Sequence, residues 1–435
     1  MFFMIKKPNL SNYYQTRKVS VIRSVYEKLK ERKDIVVPID MALGNINRAM
    51  YPALIKRMRR LAGPQSPFNK GIVKYSSSAG YVETQKAFLK IFNASDLPID
   101  NLYIQITDGA SQAIEFCLLG ISGNTEKNIG PILLFDPAYT SFEYMARRLN
   151  RRTISMVRII QSDGIFEFPS IKKIEQFILK KKPNAMIIIP YDNPTGQLIT
   201  QNQLEALARL CVRYNMWLVS DETYRELHYS KSKAPSIWRL SDETIPGIQG
   251  RRISLESASK VWNACGLRIG AIVTDNETFY EKSVAESTAN VCPNVIGQYI
   301  FSALAKENKK DIKCWFDKQR EYYQSIISFV SCDLKKKIPS IIISKPDAAL
   351  YLVLDFKNID PNFNAIDFIN FCAKSGKSKY GNQYYTVLMT PLENFFKDKK
   401  LGRTMVRISF MDSINRIRIL PNVLKDLLDQ YFNTK

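Results

Sequence analysis

The sequence predicts an α/β protein on a mostly parallel sheet, joined to a smaller α+β domain, and three observations carry that prediction. Short β-rich runs at 103–107, 132–135, 185–190, 216–220, 253–255 and 269–274 alternate with helical patterns, as successive βαβ units do. The runs are apolar on both faces, as strands covered by helices on either side must be. Between two of them, residues 201–214 place Leu204, Leu207, Ala208 and Cys211 at the i, i+3, i+4, i+7 spacing of one helix face.

Beyond this alternation, residues 309–334 read as one long helix. A mixture follows: short strands at 341–343, 350–354 and 406–410, a helix at 365–373, and a last helix from about Pro421. The long helix is expected to act as a hinge into the smaller domain. The expected division is an N-terminal arm sharing in the small domain at 1–47, a large domain at 48–308, and the interdomain helix with the small C-terminal domain at 309–435. The first forty-odd residues either join the small domain or reach toward a partner subunit. A chain of 435 residues exceeds one ordinary core.

Lys+Arg 63 against Asp+Glu 41 leaves +22, which raises nucleic acid or another acidic surface as a partner. The basic residues, however, come as scattered runs such as Lys180-Lys181-Lys182 and Lys335-Lys336-Lys337. Solvated faces account for those, so no nucleic acid is expected. Seven cysteines without a C-x-x-C pair and a single histidine, His228, argue against metal. The start Met1-Phe2-Phe3-Met4-Ile5 precedes Lys6-Lys7, the reverse of a signal peptide, and no stretch approaches eighteen uninterrupted apolar residues. A cytoplasmic protein without membrane contact is expected.

The chemistry starts at Ser257-Ala258-Ser259-Lys260, with Arg268 eight residues on. A lysine amine is nucleophilic only when unprotonated, so a Schiff-base lysine needs desolvation or cationic neighbours. Arg268, with Arg251 or Arg252, would supply the charge. Asn193, in Tyr191-Asp192-Asn193-Pro194-Thr195-Gly196, follows a strand, where open α/β sheets bind ligands, although a plain turn reads the same way. Asp221 ends the next strand, with Tyr224 three residues on. Its carboxylate would pair with a pyridinium nitrogen or simply cap a helix.

Gly109, Ala110 and Ser111 leave a strand and open a helix, so their N–H groups are placed for a phosphate or merely start the helix. Ser257 and Arg268 would complete that cup, with Arg268 adding bidentate bonds. Tyr139, after the strand at 132–135, would stack on a heterocycle or pack. Arg407, inside a β-rich run, needs an anion, either a structural carboxylate or that of a substrate.

The ordered set resembles the fold-type-I pyridoxal 5′-phosphate enzymes, most closely the class I/II aminotransferases, over roughly residues 40 to 410. The resemblance implies a seven-stranded large domain and a small domain built from both chain ends. It implies that Lys260 forms the internal aldimine and shuttles a proton, and that Asp221 keeps the ring nitrogen protonated. Asn193 and Tyr224 would bond the 3′-oxygen, and Tyr139 would stack on the ring. Gly109, Ala110, Ser111, Ser257 and Arg268 would hold the phosphate. Tyr75 matches a tyrosine that reaches the neighbouring subunit's phosphate, so a homodimer with shared sites is implied. Arg407 would clamp the substrate carboxylate, with Gly44 and Asn193 close by.

Two departures stand out. No arginine occurs between Arg268 and Arg320, where dicarboxylate-specific relatives often carry one, and Ala348 stands where glycine is usual. The expected activity is transfer of an amino group from an L-amino acid to a 2-oxo acid by a ping-pong mechanism. The alternatives are a lyase, a cyclopropane-forming synthase or an amino-acid oxidase of the same fold. A non-catalytic regulator would need a DNA-binding domain, for which the stretch before Met41 is too short.

Overall fold

The computed structural model describes residues 8–122 and 129–434. The apolar start at residues 1–5 and Lys6-Lys7 lie outside them. Seven strands make the main sheet: β1 (Tyr103–Thr107), β2 (Ile132–Asp136), β3 (Thr153–Val157), β4 (Ala185–Ile188), β5 (Trp217–Asp221), β6 (Arg252–Ser257) and β7 (Gly270–Thr274). Their order is β1-β7-β6-β5-β4-β2-β3. All pairs are parallel except those of β7, which runs against β1 and β6. The α/β class and the mostly parallel sheet are as the sequence predicts.

Burial on both faces explains the continuous apolar runs. Along β2, Leu133 and Phe135 enter one core while Ile132 and Leu134 enter another on the opposite face, with Ile114, Cys117 and Ile121 of the helix Ala110–Ser122. β3 was not among the expected runs. It is the sheet's outer strand, and most of Thr-Ile-Ser-Met-Val is only half-buried, so its composition lacks the signature of its neighbours.

The register gathers the loops that carry chemistry at one edge. Gly270, the first residue of the reversed strand, pairs with Thr107 at the end of β1 and with Ser257 at the end of β6. Residues just before β7 therefore meet those just after β1, β4, β5 and β6. This is where open α/β sheets bind ligands.

The long helix runs Lys309–Lys337 and buries Ile312, Phe316, Tyr323, Ile327, Val330 and Leu334 along one face. Asn308 caps it, accepting the Asp311 N–H at 2.8 Å. Beyond it, Tyr351–Asp355 pairs antiparallel with Met405–Ser409. Part of the N-terminal segment packs against the C-terminal part of the chain. Val37–Asp40 pairs parallel with Gln383–Leu388, and Arg32 donates to the carbonyls of Cys372 and Gly376 at 3.1 and 3.0 Å.

The last helix differs from expectation: it begins at Ile414 and carries Pro421 inside it. An interior proline costs about 3 kcal/mol. Burial of Ile417, Leu420, Val423, Leu424 and Leu427 offsets that, since each apolar side chain fully removed from water contributes about 1.5–3 kcal/mol. Among the described residues, no helix is long and apolar enough to cross a membrane.

Candidate active site

The sheet edge opens into a cavity of about 460 Å³. Gly44, Ala110, Ser111, Tyr139, Asn193, Asp221, Tyr224, Ser257, Lys260, Arg268 and Arg407 all line it. The structure thus brings together residues from nearly the whole chain. Gly109 lies beside the lining. Tyr75 does not line its own chain's cavity; it sits on the surface, 79% exposed.

Lys260 follows β6 by three residues, and its Nζ donates to the Gly44 carbonyl at 2.5 Å. A Cβ on Gly44 would stand 2.5 Å from that nitrogen, so a larger residue there would push the amine aside. Burial lowers the Lys260 amine to about 8; Cys265 opposes the shift, and the charges of Arg407 and Arg268 add to it. Arg251 and Arg252 are not the neighbours the sequence suggested. Both lie at the opposite end of β6, where Arg252 pairs with Asp275 at 2.6 Å and Arg251 donates to Asn215 at 2.6 Å.

One end of the cavity is built for an anion. The helix Ala110–Ser122 presents its N-terminus there, and Ser257 and Ser259 stand beside it. Arg268 adopts a left-handed backbone (φ 52°) and lays its guanidinium against Gly109, donating to the carbonyls of Cys265 and Asp108 at 3.3 Å each. Gly109 has φ 75°, and a Cβ on it would come within 2.3 Å of Arg268 Nη2. Free N–H groups, hydroxyls and a guanidinium together make a phosphate cradle.

The middle of the cavity is carboxylate and phenol. Burial raises the Asp221 carboxyl to about 6, against the bonds it accepts from Thr223, whose N–H lies at 3.1 Å. The Tyr224 hydroxyl lies 2.5 Å from that of Tyr351. Burial first, then Tyr351, pushes the Tyr224 phenol well above its ordinary range.

The far end holds Arg407, which is 6% exposed. It donates to Asn193 Oδ1 at 2.8 Å and to the Ala42 carbonyl at 2.9 Å, and its Nε has no partner among the described residues. Its guanidinium carbon lies 4.5 Å from the Tyr351 ring centroid. A buried donor left unmet costs about 1–3 kcal/mol.

Tyr351, Thr223, Ser259 and Cys265 line the cavity without having been singled out. Ser259 stood inside the tetrapeptide already recognised. Tyr351 opens an apolar strand and reads as core. The donor set fits pyridoxal phosphate: an anion cradle at one end, a buried carboxylate in the middle, and a desolvated amine.

The family description that matches this chain is aminotransferase class I and II, over residues 38–416. An aspartate aminotransferase of Thermotoga maritima is 25% identical over 364 residues, 83% of this chain and 85% of its own. An aromatic-amino-acid aminotransferase of Thermococcus litoralis is 24% identical over 83% of this chain and 86% of its own. Among solved structures, a mutant aspartate aminotransferase of Thermus thermophilus superimposes with a TM-score of 0.78 at 20% identity, over 97% of this chain and all of that one. An aromatic aminotransferase of Pyrococcus horikoshii gives 0.75 at 20% identity, over 94% and 99%. With most of its length inside the family description, the chain belongs to the class I and II aminotransferases, a family of pyridoxal-phosphate-dependent transferases.

Proposed function

We propose that this protein moves an amino group from an L-amino acid to a 2-oxo acid in two alternating half-reactions, with Lys260 as the reacting amine. The observation that carries the proposal is the Lys260 amine, lowered to about 8 and set in one cavity with an anion cradle, a buried Asp221 and a buried Arg407. Pyridoxal phosphate supplies an aldehyde that bonds amines and a ring that draws electrons from the adjoining carbon. Gly109, Ala110, Ser111, Ser257 and Arg268 would hold its phosphate, and Asp221 its ring nitrogen. A cationic ring nitrogen keeps Asp221 ionised against the burial that otherwise raises it. Asn193 and Tyr224 would bond the ring oxygen and Tyr139 would stack on the ring. Lys260, once displaced, moves the proton at the substrate's α-carbon.

The exposed Tyr75 supports a homodimer in which the partner subunit's Tyr75 completes the phosphate site. We also propose the division at 1–47, 48–308 and 309–435, supported by the pairing of Val37–Asp40 with Gln383–Leu388, and a cytoplasmic location. The cations lining the cavity are Lys260, Arg268 and Arg407, each already assigned. A substrate with a neutral side chain fits this chain's own lining best.

The deciding experiment is spectroscopic. An amino acid alone should convert the visible absorbance to that of the pyridoxamine form, and a 2-oxo acid should reverse it. Ammonia release without that form would sink the transaminase reading in favour of a lyase or oxidase. Screening the twenty amino acids this way also identifies the donor.

Two expected results follow from the same geometry. The rate at which cofactor-free protein bonds pyridoxal phosphate should rise about tenfold per pH unit below 8 and level off above it, since only the neutral amine reacts. A midpoint near the ordinary lysine value would mean Lys260 is solvated. Arg407→Ala should raise KM for the amino acid by about 10–150-fold, the worth of about 1.5–3 kcal/mol of charge-assisted bonding, while cofactor stays bound. Loss of cofactor instead would show that Arg407 serves mainly to hold Asn193.

A further inference from the structure

Tyr351 was not expected at the site, yet it touches both of its halves. It opens the strand Tyr351–Asp355, in register with Ser409, while Arg407 pairs with Val353. Tyr351 and Arg407 are therefore diagonal neighbours on one sheet face, close enough for large side chains to meet. The Tyr351 ring lies under the Arg407 guanidinium at 4.5 Å. Its hydroxyl lies 2.5 Å from that of Tyr224, with the two rings edge to face at 5.7 Å and 79°. Only 2% of Tyr351 is exposed, so neither contact competes with water.

We infer that Tyr351 is a positioning residue that donates its hydroxyl proton to the Tyr224 oxygen and braces Arg407 with its ring, coupling the cofactor side of the cavity to the carboxylate side. The inference rests on the function proposed above. Tyr224 has one proton to donate. If that proton serves the cofactor's ring oxygen, the Tyr224 oxygen is left to accept, and Tyr351 is the donor against it. A bond accepted by a donor's own oxygen strengthens the bond it gives. Burial raises the Tyr351 phenol, and the Arg407 charge over its ring works against that, keeping it the readier donor of the two. The ring contact is a cation–π pair in a desolvated setting, which holds the guanidinium where a carboxylate enters.

The test uses the holoenzyme and the visible absorbance of the lysine-bound cofactor, titrated against pH. Tyr351→Phe keeps the ring and removes the hydroxyl. Weaker donation from Tyr224 destabilises the ionised ring oxygen, so the midpoint should rise by about half a unit to one unit, with KM for the amino acid within about twofold of the parent. Tyr351→Leu should shift the midpoint as far and also raise KM, by about 2–30-fold, as the cation–π contact is lost. Tyr224→Phe should shift the midpoint at least as far as Tyr351→Phe, and the double variant no further than Tyr224→Phe alone.

An unmoved midpoint in Tyr351→Phe, or additive shifts in the double variant, overturns the role assigned to the hydroxyl. Equal KM values in Tyr351→Phe and Tyr351→Leu overturn the role of the ring. A parent protein with no visible absorbance that depends on Lys260 overturns this inference together with the proposed function; a normal parent titration with an unmoved variant overturns this inference alone.

Discussion

Lys260→Ala is expected to lose the protein's visible absorbance and at least about 10⁴-fold of its turnover, while the fold stays intact. Proton transfer by a positioned side chain is worth about 10²–10⁴ in rate, and in the proposed function the same nitrogen also makes the covalent link to the cofactor. Both contributions end at one atom. The fold should be indifferent, because the amine lines the cavity and, among the described residues, bonds only the Gly44 carbonyl. Burial already disfavours its charge, so truncation removes a desolvation cost along with one hydrogen bond. The check is kcat beside the absorbance spectrum and a thermal melt. An equally yellow, equally active variant would falsify the assignment. Retained absorbance of an amine-bound cofactor, distinct from that of the free aldehyde, with lost activity would place the cofactor on another amine. Arg268 and the helix N-terminus remain in the variant, so pyridoxal phosphate should still bind without a covalent link.

Much of this was legible in the sequence, for reasons visible in the structure. Strands β2, β4 and β7 are buried along their whole length and read as almost wholly apolar runs, while β1, β5 and β6 are as buried or nearly so yet mix Gln105, Ser220, Ser254 and Glu256 with their apolar residues. β3 was missed because its outer position leaves most of it half-buried. Pro421 misled because a proline normally marks a helix start, whereas here the packed face of Ile414–Asn433 outweighs it.

At the site, Asn193, Asp221, Lys260 and Arg268 could be found because each follows or precedes a strand at the same sheet edge. Of the positive charges expected near Lys260, Arg268 is there, whereas Arg251 and Arg252 are not. Nearness in sequence pointed to them, yet β6 carries them a strand's length away while the fold returns Arg407 from the far end of the chain. Tyr351 carried no signal at all. One partner, Arg407, is set by the register of its own sheet, and the other, Tyr224, by the meeting of that sheet with the main one.

Arg158→Met is expected to cost about 3–5 kcal/mol of stability. Arg158 and Asp192 are 4% and 3% exposed and bond at 2.9 Å. The same guanidinium donates to the carbonyls of Phe135 and Pro137 at 3.0 and 2.5 Å. It thereby fastens the turn after β2, which leads to Tyr139, to the turn after β4, which leads to Asn193.

A buried ion pair as a whole adds little over well-packed apolar residues, but removing one partner strands the other charge. That asymmetry decides the expected result. Among the described residues, Arg158→Met leaves the Asp192 carboxylate side chain bonded by Thr195 and leaves two carbonyls without this donor. At about 2–4 °C per kcal/mol for a domain of this size, the melting temperature should fall by about 6–20 °C. Asp192→Asn added to Arg158→Met should recover part of the loss, because the stranded charge is then gone. Calorimetry on both variants reads the difference. A fall under about 1 kcal/mol in Arg158→Met, or no recovery in the double variant, would mean the backbone alone holds the two turns. With the pair broken, cofactor affinity should also weaken, since Tyr139 and Asn193, proposed above to face the cofactor ring, lose the side chain that fixes their separation.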